Sequence, residues 1–250
     1  MSDYHTEKGN INMTEQRKIE LSDNYSRVME QIHAAVERRG AGPAVSLLAA
    51  SKTYPAEDIA YLMTHCGLKM AGENRQTEFT EKYDGVHPYG QYHFIGHLQT
   101  NKVKYLVGKA DLIHSVDSVH LAEEIARQSA KNAIITPILV QVNAGREESK
   151  SGIFPEEAPE FLARISEMPS LKLRGMMVVA PICEEKSAVR KYFQESCRIF
   201  IDFFAKNKHN IEDPILSMGM SDTFAEAIEE GATLVRVGSA LFGAREYSNQ

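Results

Sequence analysis

The stretch that decides the fold is Val45-Ser46-Leu47-Leu48-Ala49-Ala50-Ser51-Lys52, followed at once by Thr53-Tyr54-Pro55. An apolar run ends on an amine, and a turn signal closes it. A run of this kind reads as a strand buried on both faces, which a parallel sheet covered by helices requires. Pro55, Ala56, Glu57 and Asp58 then read as the acidic first turn of a helix. The amine therefore falls at the carboxyl end of a strand, where α/β folds keep their chemistry. A lysine there is a candidate Schiff-base nucleophile, because a partly desolvated ammonium loses its proton more easily. The segment alone also fits a surface lysine in a βα loop, as lysines are mostly exposed.

Outward from this stretch, strand-like and helix-like segments alternate. A helix is predicted over about 15–39, with Leu21, Tyr25, Val28, Met29, Ile32 and Val36 on one face, and Gly40 and Gly42-Pro43 break it. Strands are predicted at 45–51, 68–72, 91–96, 112–116, 136–143, 171–180, 215–218 and 233–237. Helical patterns fill the gaps at 56–65, 73–83, 101–107, 119–131, 155–168, 184–206 and 222–230. Eight strands separated by helices indicate a parallel α/β fold. An open doubly wound sheet is the rival, but Ser51-Lys52-Thr53-Tyr54 supplies no glycine-rich dinucleotide fingerprint. The expectation is a single (β/α)8 TIM barrel with an extra N-terminal helix. Residues 15–250 form its one domain, and residues 1–14 form a polar, disordered tail without an apolar signal core.

Composition narrows the function classes. The chain has 250 residues, 43% of them hydrophobic, enough for a large core. A net charge of −6 offers no basic footprint for nucleic acid. No stretch approaches a membrane span. The cysteines Cys66, Cys183 and Cys197 are odd in number and scattered, which fits a reducing cytoplasm rather than a zinc or disulfide framework.

The strand ends are unusually polar: Glu73-Asn74, His93 and His97, His114, Ser115 and Asp117, Gln141 and Asn143, then Ser217 to Asp222. His93 and His114 read more naturally as hydrogen-bonded structural histidines than as ligands. Arg236 is harder to dismiss, since it lies between Val235 and Val237. Alternation puts Leu234, Arg236 and Gly238 on one face. Should that face be the barrel interior, an unpaired guanidinium would cost on the order of 3–5 kcal/mol. It therefore needs an acceptor, either a core carboxylate or a ligand atom. Gly238-Ser239 opens a short helix, and Ser217-Met218-Gly219 ends the preceding strand. Small residues and amides there suit a phosphate between the seventh and eighth strands. Lys52, Arg236 and such a cup match one ligand, pyridoxal 5′-phosphate (PLP). Its sites pair a Schiff-base lysine with an Asp or Arg near the pyridine nitrogen.

Further motifs carry a family resemblance. They include Ala50-Ser51-Lys52-Thr53, Gly72-Glu73-Asn74, His93-Phe94-Ile95-Gly96 and Ile113-His114-Ser115-Val116-Asp117. Ser149-Lys150-Ser151-Gly152, Leu173-Arg174-Gly175-Met176-Met177, Leu216 to Asp222 and Val235 to Gly243 extend the set in order beyond residue 45. The chain resembles the pyridoxal phosphate homeostasis proteins, whose barrel is like the N-terminal domain of alanine racemase. The resemblance implies PLP on Lys52, Asn74 near the cofactor and Arg236 facing the ring nitrogen. It also implies phosphate held by Ser217, the Met218 amide, Gly238 and Ser239. Ser239 stands where the family usually has Thr, which keeps the hydroxyl.

Three function classes follow. The first is a cytoplasmic, monomeric PLP-binding protein that serves vitamin B6 homeostasis without robust turnover, with PLP-dependent apoenzymes as recipients. The second is a PLP-dependent amino-acid racemase. It needs an acid or base on the face opposite Lys52, and the sequence offers no second domain to bring one. The third is a PLP-independent barrel enzyme acting on a phosphorylated sugar.

Overall fold

Eight strands close into a barrel in chain order: β1 (Ser46–Ala50), β2 (Met70–Glu73), β3 (Gln91–Phe94), β4 (Ile113–Val116), β5 (Thr136–Asn143), β6 (Leu171–Val179), β7 (Ile215–Ser217) and β8 (Leu234–Val237). The structure is a computed structural model that describes residues 13–183, 185–206 and 213–243. Every neighbouring pair is parallel, and β8 closes on β1 with Leu48 opposite Arg236. The expected (β/α)8 barrel with its extra N-terminal helix is the observed architecture.

The strands read as continuous apolar runs because both of their faces are covered. In β1, Leu47 and Ala49 belong to the large core between barrel and helices. Leu48 and Ala50 turn inward and pack with Ile95 and Leu234. On the other side of the interior, Leu112 and Leu139 meet Met177. Leu234 thus faces inward, and Arg236, two residues later, follows it.

The N-terminal helix α1 (Glu15–Arg39) buries Leu21, Val28, Ile32 and Ala35. Thr14 caps it by accepting from the Arg17 amide at 3.2 Å, and Gly40, at φ 77°, ends it. It lies on α7 (Phe224–Glu229) and α8 (Ser239–Phe242), closing that flank of the barrel. Between them come α2 (Ala56–Tyr61), α3 (Gln76–Val86), α4 (Val119–Lys131), α5 (Ala158–Ser166) and α6 (Lys186–Lys206).

Three predicted segments differ in detail. The helix expected over 56–65 is α2 followed by a π turn, Leu62–Cys66, which Gly67 stops at φ 90°. The segment expected at 101–107 is a 3-10 helix, Thr100–Tyr105, the form that short connectors favour. The helix expected from residue 73 begins instead at Gln76, because Glu73 is the last residue of β2. Most of the predicted tail, residues 1–12, and Glu184, the predicted start of α6, lie outside the described residues.

Candidate functional site

The carboxyl ends of the strands open into a cavity of about 450 Å³. Ala50, Ile95, Met177 and Val179 give it apolar walls, and its polar lining includes Lys52, Asn74, Asp222 and Arg236. A flat ring between aliphatic walls with a few polar groups at its rim is the ligand shape this suits.

Lys52 enters the cavity because β1 ends at Ala50 and the chain turns through Ser51. Ser51 is fully buried. Its N–H donates to Gly72 O at 3.0 Å, and its hydroxyl donates to the Glu73 carboxylate at 2.9 Å. Tyr54, two residues past Lys52, stacks on Phe242 and donates its hydroxyl to Gly243 O at 2.8 Å. Asn74 comes into the same space from β2. A side chain on Gly96 would put its Cβ 1.9 Å from Asn74 O, so only glycine lets the ends of β2 and β3 approach this closely. The Asn74 Oδ1 atom is buried and has no hydrogen-bond partner. An orphaned buried acceptor at a cavity wall is explained by a donor that a ligand or ordered water supplies.

Arg236 is 6% exposed and faces the cavity. Burial lowers its pKa to about 10, which leaves it charged at neutral pH. The sequence left open whether a core carboxylate answers this charge, and in the structure none does. One terminal nitrogen donates to Ser217 O and to Ser217 Oγ, both at 2.8 Å, and the other donates to Val178 O at 3.0 Å. Among the described residues no carboxylate pairs with it.

Ser217 and Met218 are not among the residues that line the cavity. Ser217 is fully buried, and its hydroxyl is turned to Arg236 rather than into the cavity. The Met218 amide donates to Leu234 O at 3.1 Å, so the sheet ladder occupies it. Gly238 and Ser239 do line the cavity, together with Ser221, which the sequence reading did not single out. The Ser221 hydroxyl accepts from the Gly238 amide at 3.1 Å. A Cβ on Gly238 would come within 3.1 Å of Ala50 O, so this corner is kept open by glycine.

The far rim was also missed. Lys150 and Ser151 reach over the cavity from the loop after β5. Asn143 staples that loop by donating to Glu147 O at 2.8 Å and Lys150 O at 3.1 Å, and Gln141 donates to Ser151 O at 2.7 Å. His97 joins the rim, with its Nδ1 at 3.0 Å from Ser151 Oγ. The signal was present in Gln141 and Asn143 as polar strand ends, but their partners are backbone carbonyls that no motif announces. His93 and His114 are structural, as the sequence suggests. They share a hydrogen bond of 3.0 Å below the cavity, and burial lowers the His93 pKa to about 3, so the pair is neutral.

The alanine racemase N-terminal domain family matches residues 28–246. A pyridoxal phosphate homeostasis protein of Aquifex aeolicus is 46% identical over 227 residues, covering 90% of this chain and 98% of its own. Among solved structures, an unknown protein from Bifidobacterium adolescentis superposes with a TM-score of 0.87 at 33% identity, covering 92% of this chain and 97% of that one. PipY of Synechococcus elongatus, solved with PLP bound, gives a TM-score of 0.75 at 30% identity, covering 89% of this chain and all of that one.

Proposed function

The chain belongs to the pyridoxal phosphate homeostasis proteins, and from that premise we propose that it binds PLP in the carboxyl-end cavity as a Schiff base on Lys52. The observation that carries the proposal is that one cavity is lined by Lys52, Asn74 and the charged Arg236, with the Asn74 Oδ1 left unpartnered in its wall. When bound, the cofactor supplies an aldehyde that condenses with an amine, a phosphate and a ring nitrogen.

The residues present fit these groups. Lys52 supplies the amine. Gly238 and Ser239 supply small residues and a hydroxyl for the phosphate, and Ser221 adds a second hydroxyl. Met218 is taken up by the ladder, and Ser217 holds the guanidinium of Arg236 in place. Arg236 offers its charge toward the ring nitrogen. A cation there opposes ring protonation and so weakens carbanion stabilisation. The site then holds PLP better than it uses it, which fits a homeostasis protein that hands PLP to apoenzymes.

In this reading residues 15–250 act as one domain, monomeric and cytoplasmic. Cys66, Cys183 and Cys197 are unpaired, and among the described residues no helix is long and apolar enough to cross a membrane.

Borohydride reduction of the PLP-loaded protein followed by peptide mass spectrometry should place the pyridoxyl adduct on Lys52, and Lys52→Ala should abolish the visible imine band while the protein stays folded. An adduct on another lysine alone would sink the assignment. A racemase remains the second reading, because Lys150 and His97 share the cavity with Lys52. Turnover of common amino acids should stay far below the roughly 1–1000 per second of ordinary enzymes. A panel of amino acids followed by chiral chromatography decides between the two.

A further inference from the structure

Lys82 lies on α3, outside the cavity lining, yet its ammonium reaches the turn that carries Lys52. It donates to Glu73 Oε1 at 2.7 Å, to Glu78 Oε2 at 3.3 Å and to Ser51 O at 3.3 Å. The Glu73 side chain is 0% exposed, and those of Lys82 and Glu78 are 14% and 18% exposed. These two carboxylates grip both flanks of Lys52. Glu73 accepts from the Ser51 hydroxyl at 2.9 Å, and Glu78 accepts from the Thr53 amide at 2.8 Å.

Thr53 has φ 68°. A β-branched residue is an outlier in that left-handed region. Such a conformation persists only where the surroundings over-determine it, and it clusters at functional sites. Here the bond to Glu78 supplies the restraint. Glu73 also accepts from the Asn74 amide at 3.3 Å. One ion cluster therefore ties the residue before Lys52, the residue after it, and Asn74. A surface ion pair would mean little, but a charge cluster centred on a fully buried carboxylate is costly to keep. Its hydrogen bonds converge on the backbone that carries two cavity residues.

We propose that Lys82, together with Glu73 and Glu78, is a positioning residue that fixes the Ser51–Thr53 turn and so keeps the Lys52 amine aimed into the cavity. The proposal rests on Lys52 as the point of PLP attachment. Lys82 is not among the residues that line the cavity and acts only through the turn. With the turn loosened, the Lys52 nitrogen leaves the cofactor carbon more readily when a competing amine attacks. The competitor's nitrogen takes over the double bond to that carbon, and the two hydrogens it gives up go to the lysine nitrogen, which is released as the free amine.

The test uses the full chain loaded with PLP. Replacing Lys82 alone strands the Glu73 charge, so the informative variant is Lys82→Met/Glu73→Gln, which removes both charges. Loss of the imine band is followed after addition of semicarbazide, alongside thermal unfolding and mass spectrometry of the borohydride-trapped adduct. The double variant should fold and still trap on Lys52, yet exchange at least about tenfold faster, since small misplacements of a reacting group cost factors of ten to a hundred. Lys82→Arg, which keeps a cation for both carboxylates, should stay close to the wild-type rate. A folded double variant that exchanges at the wild-type rate overturns the proposal, as does Lys82→Arg exchanging as fast as the double variant. Failure of the wild-type protein itself to trap PLP on Lys52 would instead overturn the attachment reading beneath it.

Discussion

Lys82 and Arg236 are both cations withdrawn from water at the carboxyl end of the same barrel, and their charges are answered in opposite ways. At the β1–β2 end, Lys82 meets two carboxylates, Glu73 and Glu78. At the β7–β8 end, Arg236 meets carbonyls and one hydroxyl and, among the described residues, no carboxylate. Neutral acceptors orient a guanidinium without cancelling its charge. With Arg75 also 3.8 Å from Glu78, the first end is internally balanced and can serve as a fixed base for the Lys52 turn. The second leaves the guanidinium charge uncancelled by its own hydrogen-bond partners, which suits an anionic ligand with a ring-nitrogen acceptor. A buried cation with its own counter-ions reads as scaffold, and one held only by neutral acceptors reads as part of a binding site.

The sharpest way to break this contrast is to remove each cation in turn. Lys82→Met leaves Glu73 charged and buried without its partner, and should cost about 3–5 kcal/mol of stability. Adding Glu73→Gln should recover most of the loss. Urea unfolding of the apoprotein measures both. If Lys82→Met proves nearly neutral, the β1–β2 cluster is not the balanced scaffold described here.

Arg236→Met strands no charge. It leaves the Ser217 and Val178 carbonyls short of donors, which should cost about 1–2 kcal/mol, partly offset by the desolvation no longer imposed on the guanidinium. PLP affinity should fall instead, and Arg236→Glu should lower it further because it reverses the local charge. Nitrogen NMR of labelled PLP should show an unprotonated ring nitrogen in the wild-type protein and a protonated one in Arg236→Glu. A stability loss in Arg236→Met equal to that of Lys82→Met, or a ring nitrogen already protonated in the wild type, would erase the distinction between the two ends.

The two ends were not equally legible in the sequence. Alternation in Leu234-Val235-Arg236-Val237-Gly238 was enough to put the guanidinium on one face with Leu234 and Gly238, and the structure shows that face to be the interior. The apolar run before Lys52 likewise fixed its place at a strand end. What alternation cannot give is the partner of a polar atom. It did not show that the Ser217 hydroxyl faces Arg236 or that the Met218 amide is spent in the ladder, since both depend on how β7 sits between β6 and β8. Nor did it show the Lys82 cluster. Glu78 and Lys82 stand at i and i+4, a spacing so common on exposed helix faces that it carries no message. Only the approach of α3 to the end of β1 brings them to Ser51 and Thr53. Lys150 and Ser151 were hidden for a similar reason, being set by loop carbonyls that bind Asn143 and Gln141.

The smallest expected effect concerns acid, and it separates the two carboxylates on Lys82. Burial raises the Glu73 pKa above its ordinary 4.5, despite Lys82 and Ser51. The folded state then binds a proton at Glu73 more readily than the unfolded chain does. As pH falls through that raised value toward 4.5, Glu73 adds stability to the fold. Glu78 runs the other way. Burial alone would raise its pKa, but the Thr53 amide and Lys82 outweigh it and hold the pKa below 4.5. Its contribution is present above 4.5 and is lost as pH falls below that toward the folded value. Glu73→Gln should therefore lose more stability than wild type between neutral pH and about 4.5, because it forfeits the gain. Glu78→Gln should lose less than wild type below about 4.5, because its loss has already been taken. Arg236 helps burial and His93 to hold the His114 pKa down, so Arg236→Met should relax that depression and lose slightly less stability than wild type at the acid end. Urea midpoints across that range measure all three, and an Arg236→Met variant that loses more stability in acid than wild type would show that Arg236 does not oppose protonation of His114.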